Sequence, residues 1–197
     1  DFNNIQAAID DASNADTVEI RPGTHTGEGN RDIDFLGKAI TVRSIDPNDP
    51  NIVGATIIDC NDANGLHRGF DFHSYEGTDS RVDGLTIMYG RREGGAIRCK
   101  FSGPTIRNCR LIANSGGALY CDNATCVIAN CIFADNSTGD GGAIASYSSA
   151  LAISGCSFRE NGASYRYGGA IFNSNSNLVL DNCTFEANWA RYRGGAL

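Results

Sequence analysis

The tripeptide Gly-Gly-Ala recurs five times, beginning at residues 94, 116, 141, 168 and 194, so the spacings are 22, 25, 27 and 26. Each interval carries a second signature: NCRLIAN (108–114), NCIFADN (130–136), GCSFREN (155–161) and NCTFEAN (182–188). Self-similarity at a period of roughly 20–50 residues marks stacked repeat architectures. Where the intervals differ, the extra residues fall mainly between this signature and the next Gly-Gly, as expected if turns take insertions that stacked strands cannot.

Superposed, the repeats form ladders. After each Gly-Gly-Ala stands Ile97, Leu119, Ile144, Ile171 or Leu197; further on come Ile106, Ile128, Ile153 and Leu180. Cys109, Cys131, Cys156 and Cys183 follow, and two residues later Leu111, Phe133, Phe158 and Phe185. Short period-2 runs with the apolar member in register predict short strands with one face inward. No interval has room for a return helix plus a strand. Each repeat is therefore one coil of a parallel solenoid, with like stacked on like about 4.8 Å apart. Two further positions read as corners, because Gly and Asn best tolerate positive φ. These are Asn108, Asn130, Gly155 and Asn182, and then Asn114, Asn136, Asn161 and Asn188. Stacked amides at such positions can bond along the axis.

The earlier chain follows the same scheme more loosely. RGFDFHSYEGTDSRVDGLTIMYG (68–90) offers inward Phe70, Phe72, Val82, Leu85 and Ile87, with Gly84 and Gly90 at the corners. DIDFLGKAITVRS (32–44) reads as another coil, ATIIDC (55–60) as a strand and IDPNDPNIVG (45–54) as a loop. TVEIRPGTHTG (17–27) reads as the first strand and a turn. NNIQAAIDDA (3–12) places Ile5, Ala8, Ile9 and Ala12 on one helical face, and Asn3 with Gln6 has capping-box spacing. The expected organisation is one domain over 1–197: a helical cap at 1–15, irregular first coils at 16–93 and Gly-Gly-Ala repeats at 94–197. Leu197 opens a coil that nothing after it completes, so the natural chain is expected to continue.

The order helix, TVEIRPGTHTG, AITVRSIDPNDP, TIIDC, GFDFHS and DGLTI resembles the N-terminal half of secreted bacterial right-handed β-helix proteins of the pectin-lyase-like superfamily. The GGAI and NCxFxxN repeats resemble those of chlamydial-type polymorphic outer membrane proteins. The resemblance implies an all-β, right-handed parallel β-helix with a short N-terminal capping helix, at an extracellular or cell-surface location. For function it implies less, because this scaffold carries lyases, hydrolases, adhesins and spikes alike.

Composition narrows the classes. The net charge of −7 argues against binding a phosphate backbone, and no run approaches the length of a membrane span. The eight Cys contain no C-x-x-C, and His25, His67 and His73 give no zinc spacing with them, so no metal site is expected. Cys109, Cys131, Cys156 and Cys183 read as a buried thiol ladder. Cys99 and Cys121 form a second stacked pair and are the disulfide candidate, while Cys60 and Cys126 have no evident partner. Asn123, Asn136 and Asn182 open glycosylation sequons.

Two surfaces are candidates for function. On the first strand of each coil the outward columns read Asp71, Arg98, Tyr120, Ala145, Phe172 and His73, Lys100, Asp122, Tyr147, Ser174. In pectate-lyase-like proteins such a face binds polysaccharide, acids hold Ca²⁺, and Arg or Lys takes the α-proton. The resemblance casts Asp71, Asp122, Arg98 and Lys100 in those roles, and Ca²⁺ is expected only there. The residues themselves read as cross-strand ion pairs, Asp71 with Arg98 and Lys100 with Asp122. There is no Gly-His-Gly and no Arg-Ile-Lys of the polygalacturonase type. The second surface is the turn before each Gly-Gly: Tyr89, Arg91 and Arg92, then Tyr165, Arg166 and Tyr167, then Trp189, Arg191, Tyr192 and Arg193. Aromatic faces stack on sugars, Arg forks take carboxylates, and both anchor protein interfaces. The expectation is a non-enzymatic structural or adhesive module without a cofactor: a stalk, adhesin or filament segment. Its partner would be a polysaccharide, another surface protein or itself, by end-to-end or lateral association. The alternative is a polysaccharide-binding or lyase-like domain.

Overall fold

A computed structural model describes residues 1–61, 65–165 and 167–197. After α1 (Ile5–Asp11) come β1 (Thr17–Ile20), β2 (Gly23–His25), β3 (Ile33–Asp34) and β4 (Thr41–Ser44). Then α2 (Pro50–Ala55) leads into β5 (Thr56–Asp59), β6 (Phe70–Phe72), β7 (Arg81–Asp83) and β8 (Thr86–Met88). The repeats supply β9 (Ile97–Lys100), β10 (Thr105–Arg107), β11 (Arg110–Ile112), β12 (Leu119–Asp122), β13 (Thr125–Ala129), β14 (Ile132–Ala134) and β15 (Ser137–Thr138). They continue with β16 (Ile144–Tyr147), β17 (Ala150–Ser154), β18 (Ser157–Arg159), β19 (Gly162–Ala163), β20 (Ile171–Ser174), β21 (Asn177–Asp181), β22 (Thr184–Glu186) and β23 (Trp189–Ala190).

These strands form a parallel β-solenoid of seven coils. The first sheet runs β1-β4-β7-β10-β13-β17-β21 and the second β2-β5-β8-β11-β14-β18-β22. The third runs β3-β6-β9-β12-β16-β20, and a small fourth runs β15-β19-β23. The ladders read from the sequence are the registers observed. Ile97, Leu119, Ile144 and Ile171 are successive partners, as are Ile106, Ile128, Ile153 and Leu180. Leu111, Phe133, Phe158 and Phe185 complete the set. The last three stack face to face, with centroids 4.8 and 4.7 Å apart. That spacing is the rise of one coil, so ring contact is repeated at every step.

One corner falls where Gly and Asn were expected. Gly84, Asn108, Asn130, Gly155 and Asn182 all have positive φ. The other lies one residue earlier than expected, at Tyr89, Ala113, Asp135, Glu160 and Ala187. Asn114, Asn136 and Asn161 turn inward, where each is fully buried. The Asn114 Nδ2 donates to Asn136 Oδ1, Asn136 to Asn161 and Asn161 to Asn188, at 2.9–3.0 Å. Each Oδ1 also accepts the preceding Asn's backbone N–H. The side chain is thus kept for the ladder, and its neighbour absorbs the turn. Gly90 takes the Asn place in its coil and donates its N–H to Asn114 Oδ1.

The Gly-Gly pair has two different jobs. Gly168 has φ +65°, whereas a Cβ on Gly169 would lie 2.3 Å from the Gly195 carbonyl oxygen of the next coil. The first Gly makes the turn and the second permits the approach.

Two local expectations are corrected. Residues within 45–54 are not all loop, because Asp49 caps α2 through Asn51 N–H and Pro50 sits in its first turn. The N-cap of α1 is Asn4, which accepts from Ala7 N–H, not Asn3. Gln6 is used elsewhere, bridging to Asp10 and to the backbone of Asp34. α1 buries Ile5 and Ile9 against the first coil, as a terminal cap should.

Asn136→Ala deletes four side-chain hydrogen bonds in a buried interior and should lower unfolding stability by about 2–4 kcal/mol, with Asn130→Ala on the exposed corner below about 1. Gly169→Ala should be at least as damaging as Asn136→Ala. Urea denaturation followed by circular dichroism measures all three.

Candidate functional site

The outward face of the third sheet carries the columns read from the sequence. Asp71, Arg98, Tyr120, Ala145 and Phe172 are successive register partners. Lys100, Asp122, Tyr147 and Ser174 run beside them. The charged end of the face is closed on itself. Arg98 donates Nε and Nη2 to the two oxygens of Asp71, both at 2.7 Å. Arg68 lies fully buried beneath, with Nη1 3.5 Å from Asp71 Oδ1. Burial pushes the Arg68 guanidinium down to about 10, against the pull of Asp71. Lys100 and Asp122 stand 3.7 Å apart. Two of the four catalytic candidates form a bidentate pair and the other two a looser pair, which is cross-strand salt-bridge geometry.

The other end of the same face is aromatic. Tyr120 and Tyr147 have centroids 5.6 Å apart, and Tyr147 and Phe172 5.5 Å. Ala145, one register step from both Tyr120 and Phe172, is too small to fill the space between them. A shallow groove results, with Tyr120, Ala145 and Tyr147 as its floor and Glu93, Gly139 and Asp140 among its walls. Burial, then the nearby Glu93 carboxylate, pushes the Tyr120 hydroxyl up to about 12. The sequence already placed these aromatics in the outward columns. What was missed is that Tyr120, Tyr147 and Phe172 alternate between two columns and so contact one another diagonally.

The turn ridge is only partly assembled. β19 and β23 pair in the fourth sheet, and Tyr167 bridges to Arg193. This gathers exposed Tyr165, Tyr167, Trp189 and Tyr192 on one edge, where the Arg191 guanidinium lies over the Tyr192 ring. Arg166 lies outside the described residues. Tyr89, Arg91 and Arg92 are not joined to this edge, since Arg91 and Arg92 donate their N–H groups to His67 O and the short turn at Gly116–Gly117 intervenes. Tyr165 packs over Gly139, linking the ridge to the wall of the aromatic groove. A larger depression at the first coil, between α1 and β1, is lined by Phe2, Ala8, Val18 and Arg21 and lies apart from both surfaces.

The cysteines divide into two sets. Cys109, Cys131 and Cys156 are buried and Cys183 half-buried. Each points its thiol at the carbonyl two residues before it, Arg107, Ala129, Ser154 and Asp181, at 3.1–3.3 Å. In this structure all eight cysteines are free thiols, the candidate pair Cys99 and Cys121 among them. The two are register partners on the neighbouring strands β9 and β12. Cys126, left without a partner in the sequence, meets them from β13 across the corner, its Sγ 3.9 Å from that of Cys121. Burial pushes Cys99 well up, while hydrogen bonds from Cys121 and Cys99 draw Cys126 down. The sequon at Asn136 is closed to modification by its burial, whereas Asn123 and Asn182 are exposed.

Coils wound this way, in this register, decide the family. A family model described as "Right handed beta helix region" matches residues 3–150. The chain belongs to the right-handed β-helix family. The coils after residue 150 continue the same registers through β22. No curated protein and no solved structure matches the chain significantly. No described helix is long and apolar enough to cross a membrane.

Asp71→Ala would leave buried Arg68 and its partner Arg98 facing an uncompensated site, and should cost about 3–5 kcal/mol in a denaturant titration. Tyr120 should ionise late. Its pKa in the folded chain lies near 12 against an ordinary 10, so the proton is held more tightly when folded. The associated stability is complete below about pH 10 and is lost as pH rises through about 12. A tyrosinate absorbance titration should show this last phase and lose it in Tyr120→Phe.

Proposed function

We propose that this chain is a non-enzymatic adhesive module of an extracellular or cell-surface protein, and that the outer face of its third sheet holds a neutral polysaccharide. The contiguous aromatic run Tyr120–Tyr147–Phe172 carries the reading. One coil rises about 4.8 Å, close to the length of a pyranose unit, so a glycan lying along the axis meets a ring at each step. Glu93, Asp122 and Asp140 around the aromatic floor disfavour an anionic chain there. The ridge of Tyr165, Tyr167, Trp189 and Tyr192 widens the same surface toward a second strand of glycan or a protein neighbour.

The lyase-like alternative needs a free base and an acidic cage. Arg98 is bound at two nitrogens by Asp71, so as a base it would first have to break a bidentate ion pair. Asp122 faces Lys100. Both pairings support binding over cleavage.

Affinity electrophoresis and calorimetry against soluble neutral glucans, xylans and mannans, with polyuronates alongside, test the proposal. Tyr147→Ala and Phe172→Ala should each weaken neutral-glycan binding roughly tenfold. Retention of full affinity in a Tyr120→Ala/Tyr147→Ala double variant would sink it. So would a Ca²⁺-dependent rise in ultraviolet absorbance on a polyuronate, which would install the lyase reading instead.

A further inference from the structure

The geometry points to a buried three-sulfur site, formed by Cys99, Cys121 and Cys126, that binds one soft monovalent metal ion of the Cu(I) type. The three Sγ atoms lie within 4.8 Å of one another, with those of Cys121 and Cys126 3.9 Å apart. A metal–thiolate bond of about 2.3 Å, the length zinc uses, sets the corners of a planar trigonal site about 4 Å apart. Side-chain adjustments of a few tenths of an ångström therefore bring three donors onto one ion without moving the strands.

The contrast with the other stacked cysteines singles this cluster out. Cys109, Cys131, Cys156 and Cys183 each direct the thiol to a backbone carbonyl two residues back, so their hydrogens have partners and their sulfurs are packing atoms. Cys99, Cys121 and Cys126 instead turn toward one another, from two strands of the third sheet and one of the first. The corner between β12 and β13, where Asn123 has φ +49°, brings Cys126 back against Cys121 after only five residues.

Coordination number selects the metal. Among the described residues only these three His, Cys, Asp or Glu side chains converge at this point. All three are at most 1% exposed in a packed interior, which leaves no place for a water ligand. Zinc sites want four ligands, whereas soft thiolate sets select Cu(I), which accepts three. Coordination releases thiol protons to solvent, and because the ligands are preassembled only in the folded chain, the ion stabilises the fold.

The test is anaerobic refolding of the reduced chain with Cu(I) in competition with a bathocuproine chelator, followed by X-ray absorption at the copper edge. The expected result is one Cu(I) per chain with three sulfur neighbours and a raised thermal midpoint. Cys99→Ala, Cys121→Ala and Cys126→Ala should each weaken retention at least a hundredfold. The variant lacking Cys109, Cys131 and Cys156 should keep the ion, if it folds. Should the Ala variants not fold, the wild-type sulfur count still decides. Failure to take up copper on refolding overturns the site, as does a coordination sphere containing nitrogen or oxygen, or tighter retention of Zn(II). A disulfide joining Cys121 to Cys126 in anaerobically purified protein also overturns it. Loss of glycan binding in any of these variants bears on the outer face and leaves the metal question untouched.

Discussion

Every coil of this molecule satisfies its backbone only by leaning on the next. The N–H and C=O groups of one rung are spent on the rungs before and after it, so register is the constraint on which the rest depends. Once register is set, side-chain chemistry follows. Apolar residues stack on apolar residues, Phe133 on Phe158 on Phe185, and amides stack on amides at Asn114 to Asn188. The Gly-Gly pairs belong to the same logic, because at Gly169 any side chain would push two coils apart. A row of buried amides is tolerable in such a core only when every member is bonded, and here each donates and accepts along the axis.

The repeat made most of this legible. Equal spacing from Gly-Gly-Ala to the inward Ile, Cys and Phe positions names the partners of three sheets. What the pattern did not contain was the path of the chain between aligned positions. The second corner slipped by one because Asn was read for its tolerance of positive φ. Burial claimed its amide for the ladder and moved the turn to Ala113, Asp135, Glu160 and Ala187. Asp49 and Pro50 are helix-start signals as well as turn residues, and here they start α2. The fourth sheet, β15-β19-β23, was not anticipated from two-residue strands without an apolar rhythm.

The candidate surfaces show a similar division. Columns were readable, diagonals were not. Attention to charge found Asp71–Arg98 and Lys100–Asp122, which pair with each other. The aromatic contacts of Tyr120, Tyr147 and Phe172 cross from column to column and emerge only when the rungs are placed side by side. Cys126 is the same case inside the core. Its distance from Cys121 along the chain says nothing until the corner at Asn123 folds the two together.

The direction of the hydrogen bonds has a mechanical consequence. Bonds between coils run along the length of the solenoid, so a pull applied end to end loads the rungs in series, one after another. The bonds of one junction share the load, and each successive junction carries it in full. Extension would then proceed by detaching single coils at the weakest junction, each releasing slack before the next is strained. A solenoid built this way would yield gradually under tension, and anything held along its outer face would lose contacts only at the coil that had come away.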